Sequence, residues 1–314
     1  MTDGSITRVG TEMRSYYGRP ILKEPVWKPE IPLYLFTGGL AGASGVLHGI
    51  AHLTGHERLA RTSLFVAGAA DAVSPALLVS DLGRPERFLN MLRVFKVTSP
   101  MSVGSWILVF SSGASVTAAL LEATGVLRPI KNAAAAVAFL SGPPLATYTG
   151  ALFANTANPA WHEARSDLPW LFGSSAVATA GAAATMLLPP VEAGPARRLA
   201  VAGALVELAV ADRMVRRLGI VGEVYETGDG GRYDRISTAC TAAGAGLLAL
   251  GGRRSRVAAA AGGALILAGG LARRLSVFRA GFQAARDPRY TVEPQRERIR
   301  SRAGEAPTAP PPRA

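Results

Sequence analysis

Three acidic residues, Asp71, Glu207 and Asp212, stand inside long stretches otherwise nearly free of charge. Ionisable groups in such surroundings are costly and mark functional sites by default. They could form a proton path, or simply pair with interior arginines or hydroxyls. Other chemistry is excluded by residue type. One cysteine, Cys240, cannot ligate an iron–sulfur cluster, which takes about four thiolates, and a structural zinc site is equally excluded. Among the four histidines, His48 and His52 lie four apart on one helix, with His56 just beyond and His162 in a loop at the opposite side. Two histidines on one helix face cannot take opposite faces of a single haem, so His48 and His52 read as a polar helix end facing headgroups. Gly39, Gly42 and Gly45 follow no strand, which removes the context of a phosphate loop. They read as close-approach positions between helices in lipid.

The elements carrying these residues are long and apolar. About 20 apolar residues cross a hydrocarbon core of roughly 30 Å, and only helices or closed barrels satisfy the backbone there. Candidate spans cover residues 32–54, 59–81, 100–122, 133–156, 168–190, 199–221, 236–251 and 257–278. The expected fold is an all-α integral membrane protein, a bundle of about eight transmembrane helices. The fifth, seventh and eighth spans, rich in Ala and Gly, have the weakest insertion signal. A polar N-terminal segment precedes the bundle over residues 1–31, without a cleavable signal peptide. From residue 291 to 314 the chain is basic and Pro-rich, with the composition of a disordered tail. GDGG at 228–231 reads as a turn.

The net charge of +12 does not point to nucleic acid, because no basic stretch forms a soluble module with interleaved aromatics. It reflects arginines flanking spans in the lipid bilayer. With eight spans, 25 of the 34 basic residues fall on the side of the termini. The positive-inside rule then places both termini in the cytoplasm, at the cell membrane.

The loop SDLGRPERFLNMLRVFKVTSPMSVGSW between the second and third spans is too charged to cross a membrane. Asp81 and Arg84 could pair at the surface. Phe88, Leu89, Met91, Leu92, Val94 and Phe95 supply an apolar face for a short interfacial helix, and TSP starts the third span, with Thr98 or Ser99 as cap before Pro100. The segment reads either as a docking surface or as a simple interfacial connector. DLGRPERF followed by TSPMSVGSW, together with YLFTGGLAGASG in the first span and YTGALFANTANPAW at the end of the fourth, strongly resembles the NrfD/PsrC family, the membrane subunits of polysulfide reductase-like complexes. The resemblance runs from about residue 32 to 290 and is strongest in the first half.

That resemblance implies a quinone-binding membrane anchor without redox metals of its own. It would exchange electrons between a quinone (menaquinone or ubiquinone) and the clusters of an iron–sulfur partner, itself serving a molybdopterin catalytic subunit. Docking would fall on Arg84, Arg87 and Phe88. The tyrosine of YTG, Tyr148, is similar to the family's quinone-contacting tyrosine. Tyr34 stands where some relatives carry histidine, and a phenol exchanges protons less readily. Glu30, Asp81 and Trp27 are close enough along the chain to assist, although an interfacial anchor is the favoured reading of Trp27. Prolines Pro75, Pro143 and Pro144 free backbone carbonyls within helices. Two other classes compete: an ion or proton translocator, for which no internal repeat of the halves is evident, and a purely structural anchor, which would need no polar pocket.

Overall fold

In the computed structural model, residues 21–82 and 84–303 are described. Eight helices of at least 20 residues dominate them: α1 (Glu30–Leu53), α2 (Glu57–Asp81), α3 (Pro100–Thr124), α4 (Arg128–Ala154), α5 (Leu168–Leu187), α6 (Gly194–Arg217), α7 (Gly228–Leu250) and α8 (Arg256–Arg286). A ninth, α9 (Arg289–Ala303), follows. Each long helix packs against its successor; the connections carry single-turn helices at Pro159–His162 and Glu223–Glu226 and 3-10 helices at Pro85–Leu92 and Gly219–Gly222.

Five helices, α1, α2, α3, α5 and α8, are long and apolar enough to cross a membrane. The other three fall short because of what they carry rather than how much Ala and Gly they hold. The fourth opens RPIKN and contains Pro143 and Pro144, the sixth carries Glu207, Asp212 and several arginines, and the seventh opens GDGGRYDR. Hence the weak spans are the fourth, sixth and seventh, not the fifth and eighth that Ala content singles out.

Small residues set the spacing of the bundle. A Cβ on Gly42 of α1 would lie 2.5 Å from the Gly142 carbonyl of α4, and one on Gly142 equally close to that of Gly42. Backbones thus meet directly at this crossing, where dispersion rather than water release holds helices together in lipid.

Polar ties define two faces. At one, the Asp81 carboxylate accepts from the Lys28 backbone N–H (2.9 Å), Arg286 pairs with Glu24 (2.9 Å), and Arg217 grips buried Asp167 through two bonds of 2.9 and 2.6 Å. At the other, Arg58 pairs with Glu192 (2.6 Å), and Glu122 holds both Arg61 (3.4 Å) and Lys131 (3.0 Å). The segment 155–167 is clamped beneath the end of α8. Asn158 donates to the Gly281 carbonyl and the Trp161 indole to that of Val277, both at 2.7 Å, and Tyr225 donates to Ala160 O (2.9 Å). The Trp161 ring lies where a side chain on Gly281 would project.

Several expectations are corrected. Residues 228–231 are the first turn of α7, not a loop; only Gly228 has a left-handed φ (+59°), and Gly230 and Gly231 let that turn press on the backbone of Val224 and Glu226. Helix α9 occupies Arg289–Ala303, where a disordered tail is expected from 291; it is pinned by Arg298 on Glu163 (2.6 Å) and by buried Tyr290. Residues 1–20 and 304–314 lie outside the described segments. His48 is buried and its Nδ1 bonds Ala60 O of α2 (2.8 Å), whereas His52 does face outward beside Glu57.

Candidate functional site

The site begins where α3 starts. Ser99 caps the helix, its hydroxyl accepting from the Ser102 N–H, and Pro100 takes the first helical position, where no N–H is required. One turn on, Gly104 leaves α3 without a side chain, and the ring of Tyr148 on α4 lies in that gap. Between them opens a cavity of about 410 Å³ lined by Val97, Thr98, Pro100, Val103, Tyr148, Ala151 and Asn155. That is the size of a small-molecule pocket, typically about 300–1,000 Å³ with an apolar wall and few polar groups. The polar groups are the Tyr148 hydroxyl, the Asn155 amide and the Thr98 hydroxyl. None of these side chains bonds a protein partner among the described residues.

Of the expected quinone residues, only Tyr148 lines this cavity. Tyr34 is buried in the core of the bundle, with Trp27 packed on the same apolar cluster. Asp81 is held by Lys28 rather than by Arg84, and one Glu30 oxygen is buried without a partner. Trp27 is half-buried: it stacks on Trp161 (5.4 Å between centroids) and meets Phe153 edge-on (5.0 Å). Thr98 and Asn155 had no signal beyond their place in the two motifs, because a cavity between helix ends depends on loop course rather than periodicity.

The sequence profile described as "Polysulphide reductase, NrfD" matches residues 22–243. The chain belongs to the NrfD family. NrfD proteins are membrane subunits of polysulfide and related reductases and partner with catalytic subunits. This member is accordingly an all-α membrane protein. No curated protein matches it significantly. The matched region contains the cavity and the motif loop and ends before α8 begins.

The loop of this NrfD protein is exposed as its pattern predicts. The 3-10 helix Pro85–Leu92 buries no residue, Arg84 and Arg87 are exposed, and Phe88 is half-buried. Neither arginine has an ion-pair partner among the described residues.

The three acids expected in the interior lie apart. Asp71 of α2, 1% exposed, accepts from three serines of α3: Ser111 (3.2 Å), Ser112 (3.3 Å) and Ser115 (2.5 Å). Glu207 of α6 is fully buried against Arg273 of α8 (3.1 Å), which also binds Asp234 and, at 3.3 Å, Thr238 of α7. Asp212 instead faces outward and pairs with Arg216 (2.9 Å), one turn along its own helix. Arg274 lies buried beside Arg273, its guanidinium 4.1 Å from the Phe172 ring and donating to Phe172 O (2.9 Å). The charge count places both arginines on the face of the termini, but they are interior. An adjacent arginine pair within an apolar 31-residue helix was the legible signal for this cluster.

Outside the spans, hydrogen bonding from Arg286 holds the exposed Glu24 carboxyl below its ordinary value. Burial pushes the Tyr225 phenol up, so it stays a neutral donor to Ala160 O.

Proposed function

We propose that this NrfD protein is the quinone-binding subunit of a membrane oxidoreductase, and that the Tyr148 cavity holds the quinone head. The observation that carries this reading is the cavity's chemistry. Three unpartnered polar groups stand on an otherwise apolar wall at a helix-end boundary. Tyr148, Asn155 and Thr98 are each able to donate to a carbonyl oxygen, and a quinone presents two such oxygens on an apolar ring. When bound, a quinone supplies two-electron, two-proton chemistry that the chain's side chains lack.

Tyr148 orients the head from α4, its ring seated on α3. Asn155 and Thr98 are exposed, so protons reach the cavity from water at the same face and no bilayer-crossing relay is needed for that step. Arg84 and Arg87 present free charge on the exposed loop that precedes α3 for an iron–sulfur partner that serves a molybdopterin subunit, and Phe88 provides the apolar contact. The eight long helices all span, and the face bearing the cavity and termini is cytoplasmic, following the arginine bias.

Replacing Tyr148 with Phe removes one donor and leaves the ring. Quinol-linked turnover of the assembled complex is expected to fall about tenfold, one hydrogen bond of about 1.4 kcal/mol. Unchanged turnover would favour a structural anchor.

A further inference from the structure

We infer that Asp71 and the serines of α3 form a binding site for one sodium ion inside the bundle, separate from the Tyr148 cavity and independent of its assignment. Five side-chain oxygens converge there: both Asp71 carboxylate oxygens and the hydroxyls of Ser111, Ser112 and Ser115, at 2.5 to 3.3 Å from the carboxylate. The carboxylate is 1% exposed and has no cationic partner among the described residues. An uncompensated charge at such depth is strongly unfavourable, so the site requires a bound positive charge.

A second observation comes from the backbone. Pro75 lies inside α2 and has no N–H. The carbonyl four residues back, which that N–H would have capped, belongs to Asp71 itself. The same residue therefore offers a carboxylate and a helix carbonyl without its i+4 donor, as the interrupted helices of ion transporters do. A proton would occupy a single acceptor. Three hydroxyls around the carboxylate provide an oxygen-only set of the kind a hard cation takes. Each serine can donate to Asp71 while its lone pairs face the ion, because a hydroxyl does both. The close approach of α2 and α3 holds the shell together: a Cβ on Gly68 would lie 3.2 Å from the Ser115 carbonyl.

The test is carbodiimide modification of Asp71 in the intact chain, read by mass spectrometry of its peptide at one fixed pH. Dicyclohexylcarbodiimide attacks protonated buried carboxyls, so a bound ion protects. Millimolar sodium chloride should slow labelling several-fold, whereas potassium or choline chloride should not. In Ser115→Ala, and separately in Ser111→Ala, the sodium concentration giving half protection should rise roughly tenfold or more. A labelling rate identical in sodium and choline salts, whether fast or slow, overturns the site and leaves Asp71 a proton carrier or a packing residue.

Discussion

The ring of Tyr148 rests on the bare Cα of Gly104: a Cβ there would lie 2.7 Å from the ring's Cδ2 and 3.0 Å from its Cζ. Gly104 cannot take a methyl unless the tyrosine ring moves. Gly104→Ala should therefore push the tyrosine into the cavity and reduce quinol-linked turnover at least as much as Tyr148→Phe. The two changes together should not add fully, since they act on one ring. Independent, additive losses in steady-state kinetics would contradict this coupling.

Trp161 and Gly281 provide a stability prediction distant from the cavity. Gly281→Ala must displace the indole and with it the 2.7 Å bonds of Trp161 and Asn158 to α8. Overpacking of this kind costs about 1–3 kcal/mol, and each lost hydrogen bond about 1 kcal/mol more. Thermal unfolding in mild detergent should show a clearly lowered midpoint, with Gly246→Ala, at a position with open space around it, as the neutral control.

Arg273 neutralises two carboxylates at once. Arg273→Met leaves Glu207 and Asp234 without their cation, and breaking such a buried pair costs about 3–5 kcal/mol. Adding Glu207→Gln should restore part of that loss, because one uncompensated charge is then removed. A double variant no more stable than the single one would refute the pairing as the source.

The Glu24–Arg286 tie should be sensitive to pH. The carboxyl is held below its ordinary value, so its contribution is complete above that value and is lost as pH falls through the lowered one. Hydrogen exchange of residues 22–29 should speed up at acid pH and remain flat from neutral upward. In Glu24→Gln it should be pH-insensitive after correction for intrinsic exchange rates.

Orientation has its own readout. Ile299 on α9 is 59% exposed and Val191, on the opposite face, 93%. With Ile299→Cys, an impermeant thiol reagent should label only after permeabilisation, and with Val191→Cys it should label intact cells. The reverse pattern would place the cavity face outside.

Much of this fold is legible in the chain itself. Apolar runs outline the helices, TSP marks the start of α3, and Gly42 announces a close crossing. The motif loop shows its exposure through Arg84 and Arg87. What escapes is decided by contacts distant in sequence. Trp27 reads as an anchor because nothing nearby says that Trp161 comes back to stack on it. Asp81 stands three residues from Arg84, yet the Lys28 N–H reaches it first. GDGG obeys the local preference for turns, but the packing of α7 on α8 absorbs those glycines into a helix. Asp71 and Glu207 are visible as buried acids, and Asp212 resembles them in sequence, yet only the orientation of α6 reveals that it faces away.

Photolabelling with an azido-quinone tests the central claim most directly. With the purified complex, label should be found in two peptides, one carrying Val97–Val103 and one carrying Tyr148–Asn155, and should be displaced by excess unlabelled quinone. Label confined to other segments, such as the start of α1 around Glu30 and Tyr34, or no displaceable label at all, would contradict the assignment.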